Sequence, residues 1–393
     1  MKKFLSIVLA LLMLAVMLPV VSLADDANYC TIEGVEGKFD TLTAAAKAWR
    51  ESKQIVTEGS TLGGHPAELT EVESIVWNIY GTVPAGDGAG VIGTSGSILS
   101  GGYITPSITI KNVTVNGYNN AIITKTGDPY VSCGANNVAF ANITFADTMR
   151  NDSNPGSLTF TNCTFKADLR MPHAGANSTL KVENCTFTGE VSSDYAIFVQ
   201  GTMTNVVLSG NNIYGYQRGV NVQAGSTATV SITGNTITNL TGYTENDQTY
   251  GAAIQLTTGG EFIITNNKID VNTGNAFRFY SGLDADVTIS DNIIKAPYLV
   301  WNQAELPNEK ITSQDNKLTI TNPNKAATSD GALEDATVIK AAPTQIVIIT
   351  PAGDTPKTEP EKNPTTGAND MVAAAAALMA VSALGMAVLS RKK

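Results

Sequence analysis

The 393-residue sequence predicts an all-β fold built as a parallel solenoid and closed at its N-terminal end by a short helix. Three observations predict it. An alternating apolar motif returns at coil-length intervals. A bend-forming residue holds one fixed place in every copy. An amphipathic segment precedes the first copy.

The copies run Ile108–Val115, Val138–Phe145, Leu158–Phe165, Leu180–Phe187, Val206–Ile213, Val230–Ile237, Phe262–Ile269 and Val287–Ile294, with a degraded ninth at Ile311–Leu318. Their first and third positions are apolar, the period-two signature of a strand with one buried face. The fifth position is Asn112, Asn142, Asn162, Asn184, Gly210, Gly234, Asn266, Asp291 or Asp315. Asn, Gly and Asp tolerate the left-handed backbone that turns a strand sharply. The copies lie 20 to 32 residues apart, too far for a hairpin and suited to one coil of three short strands. A sandwich needs turns every 8 to 12 residues or so, and a leucine-rich repeat needs a Leu framework that is missing here.

The position after the bend points inward. It is Val113, Ile143, Cys163 and Cys185, then Asn211, Asn235, Asn267, Asn292 and Asn316. Five Asn side chains about 4.8 Å apart can bond to one another's amides and to the bend backbone. That offsets the cost of burying them.

Asn at the bends and an interior Asn ladder resemble the pectate-lyase-like β-helix superfamily across residues 74–320. The resemblance implies a right-handed parallel β-helix; spacing alone does not give the hand. A solenoid needs a cap on its open end. Asp40 or Thr41 is placed to cap a helix running to Ser52, with Leu42, Ala45 and Trp49 on one face. Residues 53–73 read as loop, ending the N-terminal cap region 25–73, and Ile75–Tyr80 reads as the first strand. Residues 321–362 read as a C-terminal cap and linker.

Both ends carry targeting patterns. Lys2 and Lys3, an apolar run from Phe4 to Val21, and Ser22-Leu23-Ala24 predict a signal peptide over residues 1–24. At the other end Asn363-Pro364-Thr365-Thr366-Gly367 precedes an apolar stretch, 371–389, and the basic tail Arg391-Lys392-Lys393. The stretch is long enough for a transmembrane helix, with the cations on the cytoplasmic side. This order resembles the cell-wall sorting signal read by sortases, with Asn363 where Leu is usual. The resemblance implies cleavage between Thr366 and Gly367 and joining of Thr366 to peptidoglycan. Sortase and peptidoglycan are then partners, and the place is the surface of a Gram-positive bacterium.

Removing Lys2, Lys3, Asp370, Arg391, Lys392 and Lys393 with the two signals leaves 20 basic and 34 acidic residues, a net charge of −14. Such a surface repels nucleic acid. No basic patch with interleaved aromatics offsets it. Cys30, Cys133, Cys163 and Cys185 permit two disulfides outside the cytoplasm without demanding them. Cys163 and Cys185 share one inward position in adjacent coils, as a stacked thiol pair or a strained disulfide.

The polygalacturonase-like pattern of Asn-Thr-Asp, Asp pair, His-Gly and Arg-x-Lys is absent between the signals. The Asp pair there is Asp25-Asp26 at the extreme end, and His65 and His173 read as loop residues. A lyase needs a base near carboxylates that hold Ca²⁺. Asp194, Arg218, Asp247 and Arg278 are the residues that could gather for it; no other cofactor is implied. A second strand in each central coil offers a row of outward residues: Arg170, Phe198, Asn221, Gln255 and Arg278, with Gln200, Gln223 and Tyr280 beside it. Aromatic faces, amides and guanidinium groups suit a glycan or a surface-protein ligand. The sequence therefore reads first as a non-catalytic, adhesin-like binding protein. The alternatives are a polysaccharide lyase or hydrolase and a structural wall component.

Overall fold

The computed structural model describes residues 28–52, 71–85, 91–92, 109–125, 132–133, 137–150, 156–174, 177–190, 194–245, 248–321 and 345–348. The signal peptide, the sorting motif Asn363–Gly367, the apolar stretch 371–389 and Asp247 lie outside them. The chain divides into Met1–Thr350 and Pro351–Lys393, and every described residue belongs to the first unit. No helix among the described residues is long and apolar enough to cross a membrane.

Parallel strands stack coil upon coil. Val138, Leu158, Leu180, Val206, Val230, Phe262, Val287 and Ile311 are consecutive register partners. Each coil turns at its predicted bend residue. Asn142, Asn162, Asn184, Gly210, Gly234, Asn266, Asp291 and Asp315 all have φ between 52° and 67°. At Gly210 a side chain is excluded twice, since a Cβ would also sit 2.5 Å from the Asn184 side-chain oxygen. A separate seven-stranded parallel sheet runs from Met149–Arg150 through Leu169–Ala174, Tyr195–Gly201, Arg218–Gln223, Ala252–Thr258 and Asn275–Phe279 to Tyr298–Asn302.

The first copy was misframed by the motif. Val113 and Val115 pair with Val138 and Phe140, so Asn112 is a strand residue and not a bend. The inward partner of Ile143 is Ala121, not Val113, as the pairing of Ile122 and Ile123 with Thr144 and Phe145 requires. Three extra residues cause the slip. Between paired residues, Gly117 to Ala121 spans the gap that Asn142 and Ile143 fill in the next coil.

The interior changes character along the axis. In the earlier coils aromatic rings fill it. Phe140 stacks on Phe160 at 5.1 Å, and Phe165 lies between Phe145 at 5.0 Å and Phe187 at 4.5 Å. In the later coils the predicted amide ladder is present and buried. The Nδ2 groups of Asn211, Asn235, Asn267 and Asn292 each donate to the next Oδ1 at 2.9 to 3.0 Å. Each of those Oδ1 atoms also accepts the preceding backbone N–H, at 2.8 to 3.0 Å. Cys163 and Cys185 are free thiols at the aromatic end of this column, and Cys30 is a third, buried in the cap. The Cys185 thiol is held far above its usual range by its hydrogen bond with Cys163 and by burial.

The helix Leu42–Ser52 closes the N-terminal end. Thr41 is its cap, its Oγ1 accepting from the Ala44 N–H at 3.0 Å. Leu42, Ala45, Ala46 and Trp49 are buried against the coil. The sequence reading missed the strand Tyr29–Ile32, which pairs antiparallel with Trp77–Tyr80 and covers the sheet edge. Among the described residues after Ile320, the strand Gln345–Ile348 pairs in parallel with Lys317–Ile320.

Candidate functional site

The outward row of the seven-stranded sheet is one register column. Arg170 pairs with Phe198, Phe198 with Asn221, Asn221 with Gln255, and Gln255 with Arg278. The column continues to Trp301, which the sequence reading left out. The alternation that placed Arg278 between Phe277 and Phe279 also places Trp301 beside inward Val300. Gln200 and Gln223 pair in the neighbouring column.

The row is not the open strip expected. Asn221 is 6% and Gln255 4% exposed, while Tyr280 is 40% exposed and Arg170, Phe198 and Arg278 are half-buried. The amides are covered because the face bonds to itself. The Tyr195 hydroxyl donates to Gln255 Oε1 at 2.8 Å, and Gln255 Nε2 donates to Thr257 Oγ1 at 3.2 Å. Thr257 Oγ1 in turn donates to Asn221 Oδ1 at 2.9 Å. Arg278 donates from Nε to Gln303 Oε1 at 2.8 Å and from Nη1 to Gln255 Oε1 at 3.4 Å. Its guanidinium carbon lies 4.1 Å from the Trp301 ring centre and 4.9 Å from that of Tyr280. Cation–π contact of this kind holds the charge in one place.

A charged chain adjoins the row. Asp168 is buried, accepts from Thr148 Oγ1 at 2.7 Å and pairs with Arg170. Arg170 Nη2 is 3.6 Å from Asp194 Oδ2, and Asp194 pairs with Arg218. The Arg218 guanidinium covers the Tyr195 ring at 3.8 Å. Of the lyase candidates among the described residues, Asp194 and Arg218 therefore meet directly, and Arg278 is linked to Arg218 through Gln255 and Tyr195. Asp168 thus pairs with Arg170, and Asp194 with both Arg170 and Arg218. Among the described residues no three His, Cys, Asp or Glu stand together to hold a metal ion.

Sequence reasoning missed Tyr195, Trp301, Gln303, Thr257 and Asp168. Tyr195 and Asp168 lie at or before strand starts, where alternation carries no signal. The result is a polar and aromatic face cross-linked over successive coils, with Tyr280, Phe198 and the arginines at its surface.

Residues 148–322 match the family model described as the right handed beta helix region. The coil is right-handed. This β-helix segment contains the whole row and the charged chain. No curated protein and no solved structure matches the chain.

Proposed function

We propose that the protein is a secreted β-helix, joined to the peptidoglycan of a Gram-positive bacterium, that binds an extracellular glycan without cleaving it. The observation that carries the binding reading is the column Arg170–Phe198–Asn221–Gln255–Arg278–Trp301, in register over six strands. Strand spacing of about 4.8 Å sets these groups at fixed intervals along the axis. Hydrogen bonds through Tyr195, Thr257 and Gln303 and the ion pair of Arg170 with Asp168 hold the polar members before a ligand arrives, which removes much of the ordering cost of binding. Tyr280 and Phe198 supply stacking faces, and Arg278 supplies a fixed cation. The buried amides of Asn221 and Gln255 position these groups. The anchoring reading rests on the order of signal peptide, Asn363-Pro364-Thr365-Thr366-Gly367, apolar stretch and basic tail.

A glycan-array screen with the full-length protein supplies the ligand. Arg278→Ala and Tyr280→Ala should then each weaken binding about tenfold, a loss of about 1.4 kcal/mol, with the melting temperature unchanged. Binding equal to the parent in both variants refutes the face as the site. For anchoring, Thr366→Ala with Gly367→Ala should move the protein from the mutanolysin-released wall fraction to the membrane fraction. Unchanged recovery in the wall fraction refutes sortase attachment.

A further inference from the structure

We propose a second ligand site, for a neutral saccharide, in the cleft beside Tyr118 at the N-terminal end of the coil. It stands apart from the seven-stranded face and does not depend on that reading. The starting point is the three-residue expansion that misframed the first repeat. Other coils make this bend with one left-handed residue, as Asn142, Asn162 and Gly210 do. Here Tyr118, Asn119 and Asn120 are extruded instead, all three exposed, with Asn119 at φ 53° and Asn120 at φ 56°. The next coil closes the same bend with Asn142 and Ile143 alone. Unusual backbone kept at the surface motivates a search for function.

The extrusion borders a cleft of about 370 Å³, within the range of small-molecule sites. Its polar lining is Asn119, Asn120, Asn142, Asn162, Thr144 and Thr164, with no charged residue. Asn162 Nδ2 donates to Asn142 Oδ1 at 3.4 Å, which orients these two amides. The floor is built to be close: a Cβ on Gly117 would sit 2.0 Å from the Asn142 carbonyl oxygen. Amides and hydroxyls pair with hydroxyl groups, which both donate and accept, and offer nothing to balance a carboxylate or a phosphate.

Tyr118, between the cleft residues Gly117 and Asn119 in the chain, ends a stack of tyrosine rings. Tyr29, Tyr80 and Tyr118 are register partners on three adjacent strands. Their rings stack at 4.7 and 5.0 Å, with interplanar angles of 21° and 16°. Lys38 Nζ lies 4.2 Å from the Tyr29 ring centre at one end. The other end is Tyr118, 44% exposed and flanked in sequence by cleft residues Gly117 and Asn119. A large aromatic ring held by stacking and left at the surface, beside uncharged amides, fits the apolar face and hydroxyl edge of a hexose.

Calorimetric titration of the full-length protein with cellotetraose, maltotetraose and trigalacturonate tests this. At least one neutral tetrasaccharide should bind, and trigalacturonate should bind at least tenfold more weakly. Tyr118→Ala and Asn120→Gly should each reduce neutral-sugar affinity tenfold or more at unchanged melting temperature. Glycine keeps the left-handed backbone at 120, so that variant removes the amide alone. Arg278→Ala should leave this binding intact. The proposal is overturned if neither neutral sugar binds, if both cleft variants bind as the parent does, or if trigalacturonate binds best. Loss of binding only in Arg278→Ala also overturns it, and assigns the sugar to the seven-stranded face.

Discussion

The two halves of the coil share one external repeat and differ inside. From Val138 to Phe187 the interior is filled by stacked phenylalanines, with Cys163 and Cys185 in the column behind the bend. From Val206 to Leu318 the same column is filled by Asn211, Asn235, Asn267, Asn292 and Asn316. The aromatic half stabilises by area removed from water and by ring contact, neither of which fixes a direction. The amide half satisfies donors and acceptors one by one. Each Asn Nδ2 also donates back to a strand carbonyl, as Asn235 does to Leu208 O at 2.9 Å. A polar ladder of this kind specifies which coil lies on which, whereas a ring stack tolerates substitution of similar volume.

The largest expected effect breaks the ladder. Asn235→Leu orphans the Asn211 backbone N–H and leaves one of the two Asn211 Nδ2 hydrogens without its acceptor, the other still bonding Val182 O, and strips one donor from both Leu208 O and Asn267 Oδ1. At about 1–3 kcal/mol for each of the two unmet donor hydrogens, the loss should be about 2–6 kcal/mol. Urea unfolding followed by circular dichroism measures it. A loss under about 1 kcal/mol, the net worth of a single hydrogen bond, would mean that the column stabilises by volume alone.

Next comes the aromatic half. Phe165→Ala removes the ring between Phe145 and Phe187 and should cost about 3–5 kcal/mol. Phe165→Leu keeps most of the volume and should cost less than about 1.5 kcal/mol. The contrast between the halves predicts that conservative replacement rescues the ring stack but not the ladder. Equal tolerance of Phe165→Leu and Asn235→Leu would remove the distinction.

Both halves were more legible in the sequence than the first coil that precedes them. Alternation and the bend residues gave the strands, the register from Val138 onward and the whole Asn column, because period two and left-handed backbone are local demands. The capping helix was legible for the same reason. The first coil was not, because Ile108-Thr-Ile-Lys-Asn112 copies the motif by composition while Val113 and Val115 make the contacts. The row on the seven-stranded sheet was legible as a column but not in its exposure. Alternation says which way Asn221 and Gln255 point, not that Tyr195, Thr257 and Arg278 fold over them. The strand Tyr29–Ile32 was missed because an antiparallel cap belongs to no repeat. The Tyr118 cleft was hidden for a similar reason, since an insertion shows in a repeat only after the frame is correct.

The smallest expected effect sits where the two halves meet. Cys185 occupies the ladder column, and its backbone N–H already donates to Asn211 Oδ1 at 2.9 Å. One coil earlier, the Cys163 N–H reaches only the Cys185 Sγ, at 3.4 Å, and sulfur is a weak acceptor. Cys185→Asn should extend the ladder by one coil. The new amide oxygen would accept the Cys163 N–H. Its NH₂ would meet Asn211 Oδ1 and, by the pattern that joins Asn211 to Val182 O, the Phe160 carbonyl. Asn and Cys are close in volume, so Phe160, Phe165 and Phe187 need not move. A net hydrogen bond contributes about 0.5–1.5 kcal/mol, and the amide must give up its hydration on folding. The two nearly cancel, and stability should change by less than about 1 kcal/mol in either direction. The same substitution at an interior position outside the column, Val182→Asn, has no waiting partners and should cost several times more. If Cys185→Asn proves as damaging as Val182→Asn, the column is set by each half's packing and not by position in the coil.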